Sequence, residues 1–461
     1  MATEIVSDTH EAMEKLRIQK DSEDTRTMML NMGPAHPAMH GVIQIKAELD
    51  GEMVRGCDIE IGYLHRGFEK ECEVGTYTQC FPYTDRLNYV SPLINNFSFA
   101  LCVEKMMGLE VPERCQVIRV LMNEISRISD HLTCVGASAM ELGAFTVFLY
   151  MIKAREWLWE LVESVTGARL TISYARIGGV KADLPKDFEG RCRKVIKDTA
   201  EVIEECDSLL KRNRIFYDRV KDVGVISAQR AMEYGITGPF LRASGTGYDV
   251  RKAQPYSGYE NYDFDVPVGE NGDSYDRYLV RMEEMRQSIR IVEQALDRLP
   301  EGPTNVDPQG ELISPELMAD LGKFGRTKGL LTNEALLEPT LEGSGQRQRP
   351  GIAAESVDAW IPAKEQTYSN IEALMQHFKI VMDGHGVRPP KGECYVPTEG
   401  ANGELGFYIV SDGTDHPYRV RCHPPCFPIM AALSEILVGD QVADIIPTFG
   451  SVNMIAGELD R

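Results

Sequence analysis

Residues 134–152 read CVGASAMELGAFTVFLYMI, nineteen residues with one charge, Glu141. A membrane span needs roughly 20 apolar residues, so the length alone fits one. Two features argue against it. Gly136 and Gly143 flank the acid, and the strongest apolar run is confined to Phe145–Ile152. The stretch therefore predicts two helices joined by a turn and buried in a protein core. Glu141 becomes a carboxyl in apolar surroundings.

The pattern on either side supports helices. Upstream, Val117, Ile118, Leu121, Ile125, Ile128 and Leu132 form one helical stripe. Downstream, residues 145–166 form a second helix, closed by Gly167. Cys192, Val195, Ile196, Thr199, Ile203, Cys206 and Leu210 give a third. Tyr275, Tyr278, Leu279, Met282, Met285, Ile289, Val292 and Leu296 give a fourth, capped by Asp273 or Ser274. Four long amphipathic helices predict a bundle. The link 214–272 is rich in Gly, Tyr and Pro and reads as loops lying on it.

Further out the period shortens. Ile43, Ile45, Ala47 and Leu49 alternate with polar residues, Asp50-Gly51 supplies a tight turn, and a return strand follows with Cys57, Ile59 and Ile61 on one face. This hairpin brings the loop GPAHPAMHG (33–41) and the loop GYLHRGFEK (62–70) to the same end. His36 or His40 is thereby placed near His65 and Arg66. Residues 300–366 break the pattern and read as an insertion. Short strands return at 393–412 and 417–422. The final stretch, IIPTFGSVNMIAGELDR, is apolar enough to dock rather than fray.

Composition limits the function. With 461 residues, about three domains or two large ones are expected. A hydrophobic content of 43% supports a full core. A net charge of −21 excludes a basic nucleic-acid footprint and a polybasic lipid anchor, so any membrane association goes through protein partners. The polar, acidic start has no apolar signal core and reads as a bacterial cytoplasmic one. Eleven scattered cysteines without a C-x-x-C form neither a disulfide framework nor a zinc or iron–sulfur ligand set. They read as small buried apolar residues in a reducing compartment.

Familiar catalytic signatures are missing. No P-loop, no dinucleotide-binding glycine fingerprint and no G-x-S-x-G elbow is present. Cys422-His423-Pro424-Pro425-Cys426 offers two thiols and one imidazole, too few for a tetrahedral site, and reads as a strained turn. His36 and His40 are either ligands or structural histidines in a proline-fixed turn, because Pro37 disfavours helix at His36. Tyr89, in YTDRLNYV, fits a core tyrosine equally well. Chemistry alone says that His40, Tyr89 and Glu141 can each carry a proton at moderate cost.

Six stretches in order, GPAHPAMHG, IGYLHRGFEK, YTDRLNYV, RIGGVKADLP, LRASGTGYDVRKAQPY and the terminal GELDR, decide further. Together they resemble the quinone-site subunits of respiratory complex I, the 49-kilodalton or D subunits of NADH–quinone oxidoreductases. The resemblance runs from about residue 27 to 299 and from about 365 to the end. It implies a fold like the large subunit of nickel–iron hydrogenases, with both metal-binding cysteine pairs lost. YTDRLNYV and GELDR stand where those pairs would be. The implied class is α+β: a small antiparallel β portion at 27–110, a helical bundle at 111–299, and a C-terminal helix, short strands and docked tail at 365–461. A polar extension, 1–26, and the insertion, 300–364, complete the chain.

By the resemblance, His40 and Tyr89 hold the two carbonyls of the quinone headgroup. Glu141 stands where the family usually has an aspartate paired with that histidine. Arg66 lies near the terminal iron–sulfur cluster of the neighbouring B subunit. Thr171 replaces a histidine common beside that cluster. The same resemblance implies quinone as substrate, no metal or cluster in this chain, and NAD and FMN elsewhere in the complex. Partners would be the iron–sulfur B subunit, the C subunit, the ferredoxin-like I subunit and the membrane-embedded H subunit, on the cytoplasmic side of the inner membrane. A related complex with a ferredoxin or deazaflavin donor would leave much the same sequence, whereas retention of both His40 and Tyr89 counts against an inactive scaffold protein.

Overall fold

The structure is a computed structural model that describes residues 27–36, 38, 41–306, 364–382 and 386–461. The expected extension 1–26, most of the expected insertion 300–364, and His40 lie outside the described residues.

Three antiparallel strands come first: β1 (Thr27–Met32), β2 (Gln44–Asp50) and β3 (Met53–Glu60), in the order β1-β2-β3. The expected hairpin is β2–β3, turning through Gly51 at φ +63°. Ile43, Ile45, Ala47 and Leu49 are buried as the alternation requires. The return strand differs from expectation. Its register shifts opposite Glu48 and Leu49, so Val54 and Cys57 both face inward, while Ile61 is exposed. β1 carries no alternation of its own and is held by pairing along β2.

Helices follow: α1 (Phe68–Val74), α2 (Pro92–Met107), α3 (Glu113–Glu141), α4 (Phe145–Thr166), α5 (Phe188–Lys211) and α6 (Ser274–Asp297). The turn after Glu141 falls where the glycines place it, and Gly167 ends α4 at φ +84°. Asp273 caps α6, its Oδ1 accepting from the Asp276 N–H at 2.7 Å. α2 escapes the periodicity argument because it is buried nearly all round.

The link 214–272 is not merely loops. It holds short helices at Arg214–Val220, Ala228–Tyr234, Gly238–Ala243 and Val250–Ala253. Asn213, Ser227 and Asp249 cap three of them through side-chain oxygens, so local capping outweighs the glycine content.

The C-terminal part begins at α7 (Ile371–Val381). It continues with a second antiparallel sheet, β4 (Gly392–Glu399), β5 (Glu404–Ser411) and β6 (Arg419–His423), in the order β4-β5-β6. Then come α8 (Cys426–Ile436), α9 (Ile445–Val452) and α10 (Ala456–Asp460). One apolar core joins the bundle, α2 and the inner face of β4–β6. A second lies between the β1–β3 sheet, α8 and the tail from Ile445 to Leu459. The docked tail is therefore as expected, buried through Asp460. Among the described residues, no helix is long and apolar enough to cross a membrane.

Candidate functional site

The tail is the wall along which the predicted site residues are arrayed. At its start, Gly450 of α9 packs against the end of α3. A β-carbon there would stand 2.7 Å from Glu141 Oε2 and 3.2 Å from Ser138 Oγ. Ser138 Oγ donates to the Gly450 carbonyl at 2.7 Å. Further along, Gly41 lies against Met454 and Ala456, where a β-carbon would stand 2.9 Å from each. The loop that carries His40 is therefore seated on the middle of the tail, although His40 itself lies outside the described residues.

The far end of the tail holds the loop after β3. Asp460 accepts from the backbone N–H of Gly62 at 2.9 Å and of Leu64 at 2.7 Å. His65 Nδ1 meets the Asp460 carbonyl at 2.7 Å. Arg66 donates through Nη2 to the Arg86 carbonyl at 2.6 Å and to Gly457 at 3.5 Å. Gly457 also crowds the Arg86 and Leu87 carbonyls, so only glycine fits there.

Tyr89 lies two residues beyond Leu87 and is half-buried. Burial pushes its phenol above the usual range. Charge on Cys426 or Asp130 would push the same way, while the Arg66 guanidinium opposes them. Tyr89 thus stands close to Arg66, Cys426 and Asp130. Glu141 is eleven residues beyond Asp130 on the same helix, about 16 Å along its axis. Glu141 thus meets the tail at Gly450, the segment bearing Tyr89 meets it at Gly457 and, through Asp130, at Asn453, and Gly41, at the edge of the His40 loop, meets it at Met454 and Ala456.

Asp130 was not legible in the sequence, because the apolar stripe of α3 hid it. It is buried, and it accepts from Asn88 Nδ2 at 2.9 Å, Ser91 Oγ at 2.7 Å and Asn453 Nδ2 at 2.8 Å. Asn88 precedes Tyr89, so these bonds fix the segment that aims the tyrosine. Asp85, earlier in the same stretch, accepts from Asn96 Nδ2 at 2.6 Å and the Ser173 N–H at 2.9 Å. That joins YTDRLNYV to the segment containing Thr171. Burial pushes the Asp85 carboxyl up to about 6.

All eleven cysteines are free and buried, as expected of small core residues. Among the described residues, no cluster of three or more His, Cys, Asp or Glu side chains could hold a metal ion.

A sequence profile described as respiratory-chain NADH dehydrogenase, 49 Kd subunit, matches residues 141–461. An NADH-quinone oxidoreductase D subunit of Sorangium cellulosum is 49% identical over 435 residues, covering 94% of this chain and 95% of the relative. The D subunit of Myxococcus xanthus is 48% identical over 437 residues, 95% of this chain and 93% of its own. The NADH-quinone oxidoreductase C/D subunit of Bdellovibrio bacteriovorus is 44% identical over 441 residues, 96% of this chain and 70% of its own. The chain belongs to the family of respiratory-chain NADH dehydrogenase 49-kilodalton subunits.

Proposed function

We propose that this chain is the quinone-site subunit of a proton-translocating NADH–quinone oxidoreductase, built on a hydrogenase-like scaffold. The observation that carries this reading is the tail: one buried segment seats the loops or helix ends that bear Arg66, Tyr89, the His40 loop and Glu141. Family membership supports it independently.

In this reading the quinone headgroup binds between this chain and the iron–sulfur B subunit. Tyr89 and His40 donate hydrogen bonds to its two carbonyl oxygens. Two-electron reduction makes those oxygens strongly basic, and they take protons from the phenol and from the His40–Glu141 pair. Arg66 lies toward the cluster that delivers the electrons. The C subunit is a neighbour, as the joint C/D name of one relative suggests. The I and H subunits, and attachment to the cytoplasmic face of the inner membrane through the latter, complete the assembly.

Tyr89→Phe tests the assignment. It removes one donor and keeps the ring. Quinone reduction should fall roughly a hundredfold, while electron transfer from NADH to an artificial acceptor upstream is retained. Quinone turnover within twofold of wild type would overturn the reading.

A further inference from the structure

Behind Tyr89 lies a buried polar cluster to which the scheme above gives no task. Glu458, on α10, is 2% exposed. Its Oε1 accepts from the Cys426 N–H at 3.0 Å, where α8 begins. The Cys426 thiol is buried as well. Its sulfur accepts from Asn402 Nδ2 at 3.5 Å and faces the Asn453 carbonyl at 3.8 Å. Asn453 Nδ2 then bridges Asn402 Oδ1, at 2.5 Å, and Asp130 Oδ1, at 2.8 Å. The cluster thus runs without a break from Glu458 to the residues around Tyr89.

The two carboxyls at its ends are held differently. Asp130 accepts from three side-chain donors. Glu458 has no salt bridge among the described residues and is buried, with the Cys426 N–H as its backbone donor. The groups facing it are Cys422 from β6, Cys426 from α8, Asp130 from α3, and Arg66, whose guanidinium reaches the adjacent Gly457 carbonyl. Asp460, on its own helix, turns instead to the loop at 62–64.

We propose that Glu458 is the acid that returns a proton to Tyr89 once the phenol has given its own to the reduced quinone, the Cys426 thiol passing it across. This inference rests on the quinone-site reading. The quinone takes two electrons from the cluster of the neighbouring iron–sulfur protein, and one oxygen takes the phenol proton. The phenolate takes the thiol proton, the resulting thiolate takes the carboxyl proton, and the Glu458 carboxylate recovers one from water. Only O–H and S–H bonds form and break. Two properties suit the parts. Burial keeps the Cys426 thiol neutral, able to relay but not to stay ionised. Burial, with help from the Asp130 charge, pushes the Glu458 carboxyl up to about 7, so near neutrality it both holds and releases a proton.

The test uses membranes containing the assembled complex. Wild-type quinone reductase activity should decline as pH rises through about 7, as Glu458 loses its proton. Glu458→Gln keeps an acceptor for the Cys426 N–H and cannot release a proton. It should lower activity at pH 6 at least about tenfold and abolish that decline, with upstream NADH oxidation unchanged. Glu458→Asp should retain more activity than the glutamine variant, with the decline moved along the pH axis. If Glu458→Gln prevents assembly, Glu458→Asp alone decides, and an unmoved decline overturns the proposal. Wild-type rates and pH profile in Glu458→Gln, beside an inactive Tyr89→Phe, would sink the Glu458 assignment alone. Full activity in Tyr89→Phe would sink the quinone-site reading beneath it.

Discussion

At Gly450 a missing side chain sets the position of a present one. Gly450→Ala would bring a methyl into the space of Glu141 Oε2, and the flexible end of that side chain must give way. The backbone need not move, so the thermal midpoint should change by no more than a few degrees. On the role proposed for Glu141, quinone reductase activity should nonetheless fall several-fold, because the acid is displaced from its place against Gly450. A variant with full activity and the same pH profile would show that the position of Glu141 does not matter. Tyr89 and Glu141 were singled out in the sequence by a motif and an isolated charge, and their proposed roles came from the family resemblance. Asp130 and Glu458 were not, because their burial depends on partners, Asn453 and Cys426, that are distant in the chain.

The long elements were the easiest to read, and α3 shows where that ease misleads. Its apolar stripe predicted a helix with one wet face. In fact Arg119, Glu124, Arg127, Asp130 and His131 are buried too. Glu124, Arg127 and His131 join an internal ionic network, while Arg119 pairs with Glu104 and Asp130 with Asn88, Ser91 and Asn453. Arg127 and Arg251 meet Glu124, each at 3.2 Å, and Arg251 meets Asp249 at 2.7 Å. Arg242 meets Glu399 at 2.9 Å and also contacts Glu284, which lies 2.8 Å from His131 Nε2. The network ties α3 to α6, to the start of the short helix at Val250–Ala253 and to the end of β4. Periodicity cannot distinguish water from buried charge as the partner of a polar face. Arg242→Ala leaves Glu284 and Glu399 short of a cation in a dry interior. It should cost about 3–5 kcal/mol, measured as a lower denaturation midpoint or failure to assemble. A neutral outcome would mean that water reaches the network.

For the whole molecule, stability should depend on the buried acids. The Asp85 carboxyl is pushed up from 3.8 to about 6 by burial. The folded chain therefore holds that proton more tightly than the unfolded chain. The resulting stability is present below about pH 4 and is lost as pH rises through about 6. Asp85→Asn should remove this part of the slope between pH 4 and 6, read from the thermal midpoint of the purified complex at several pH values. An unchanged slope would place the titration elsewhere. At this scale local pattern yields to topology. The two sheets, the bundle and the docked tail each had a local signature, whereas α2, β1 and the way the tail passes every site loop did not. They arise from burial on all sides or from pairing with a neighbour, and neither leaves a period in the chain.

The tail also has a kinetic meaning. The bond from Asp460 to Gly62 closes a span of 398 residues, and contacts so distant in sequence are among the last to be made as a chain folds. The wall that the tail forms is therefore expected to be completed late. A proteolytic fragment that kept the strands and bundle but lost residues 445–461 would retain much of its secondary structure yet present no finished wall. Limited digestion followed by ligand-protection footprinting would find secondary structure and pocket vanishing separately.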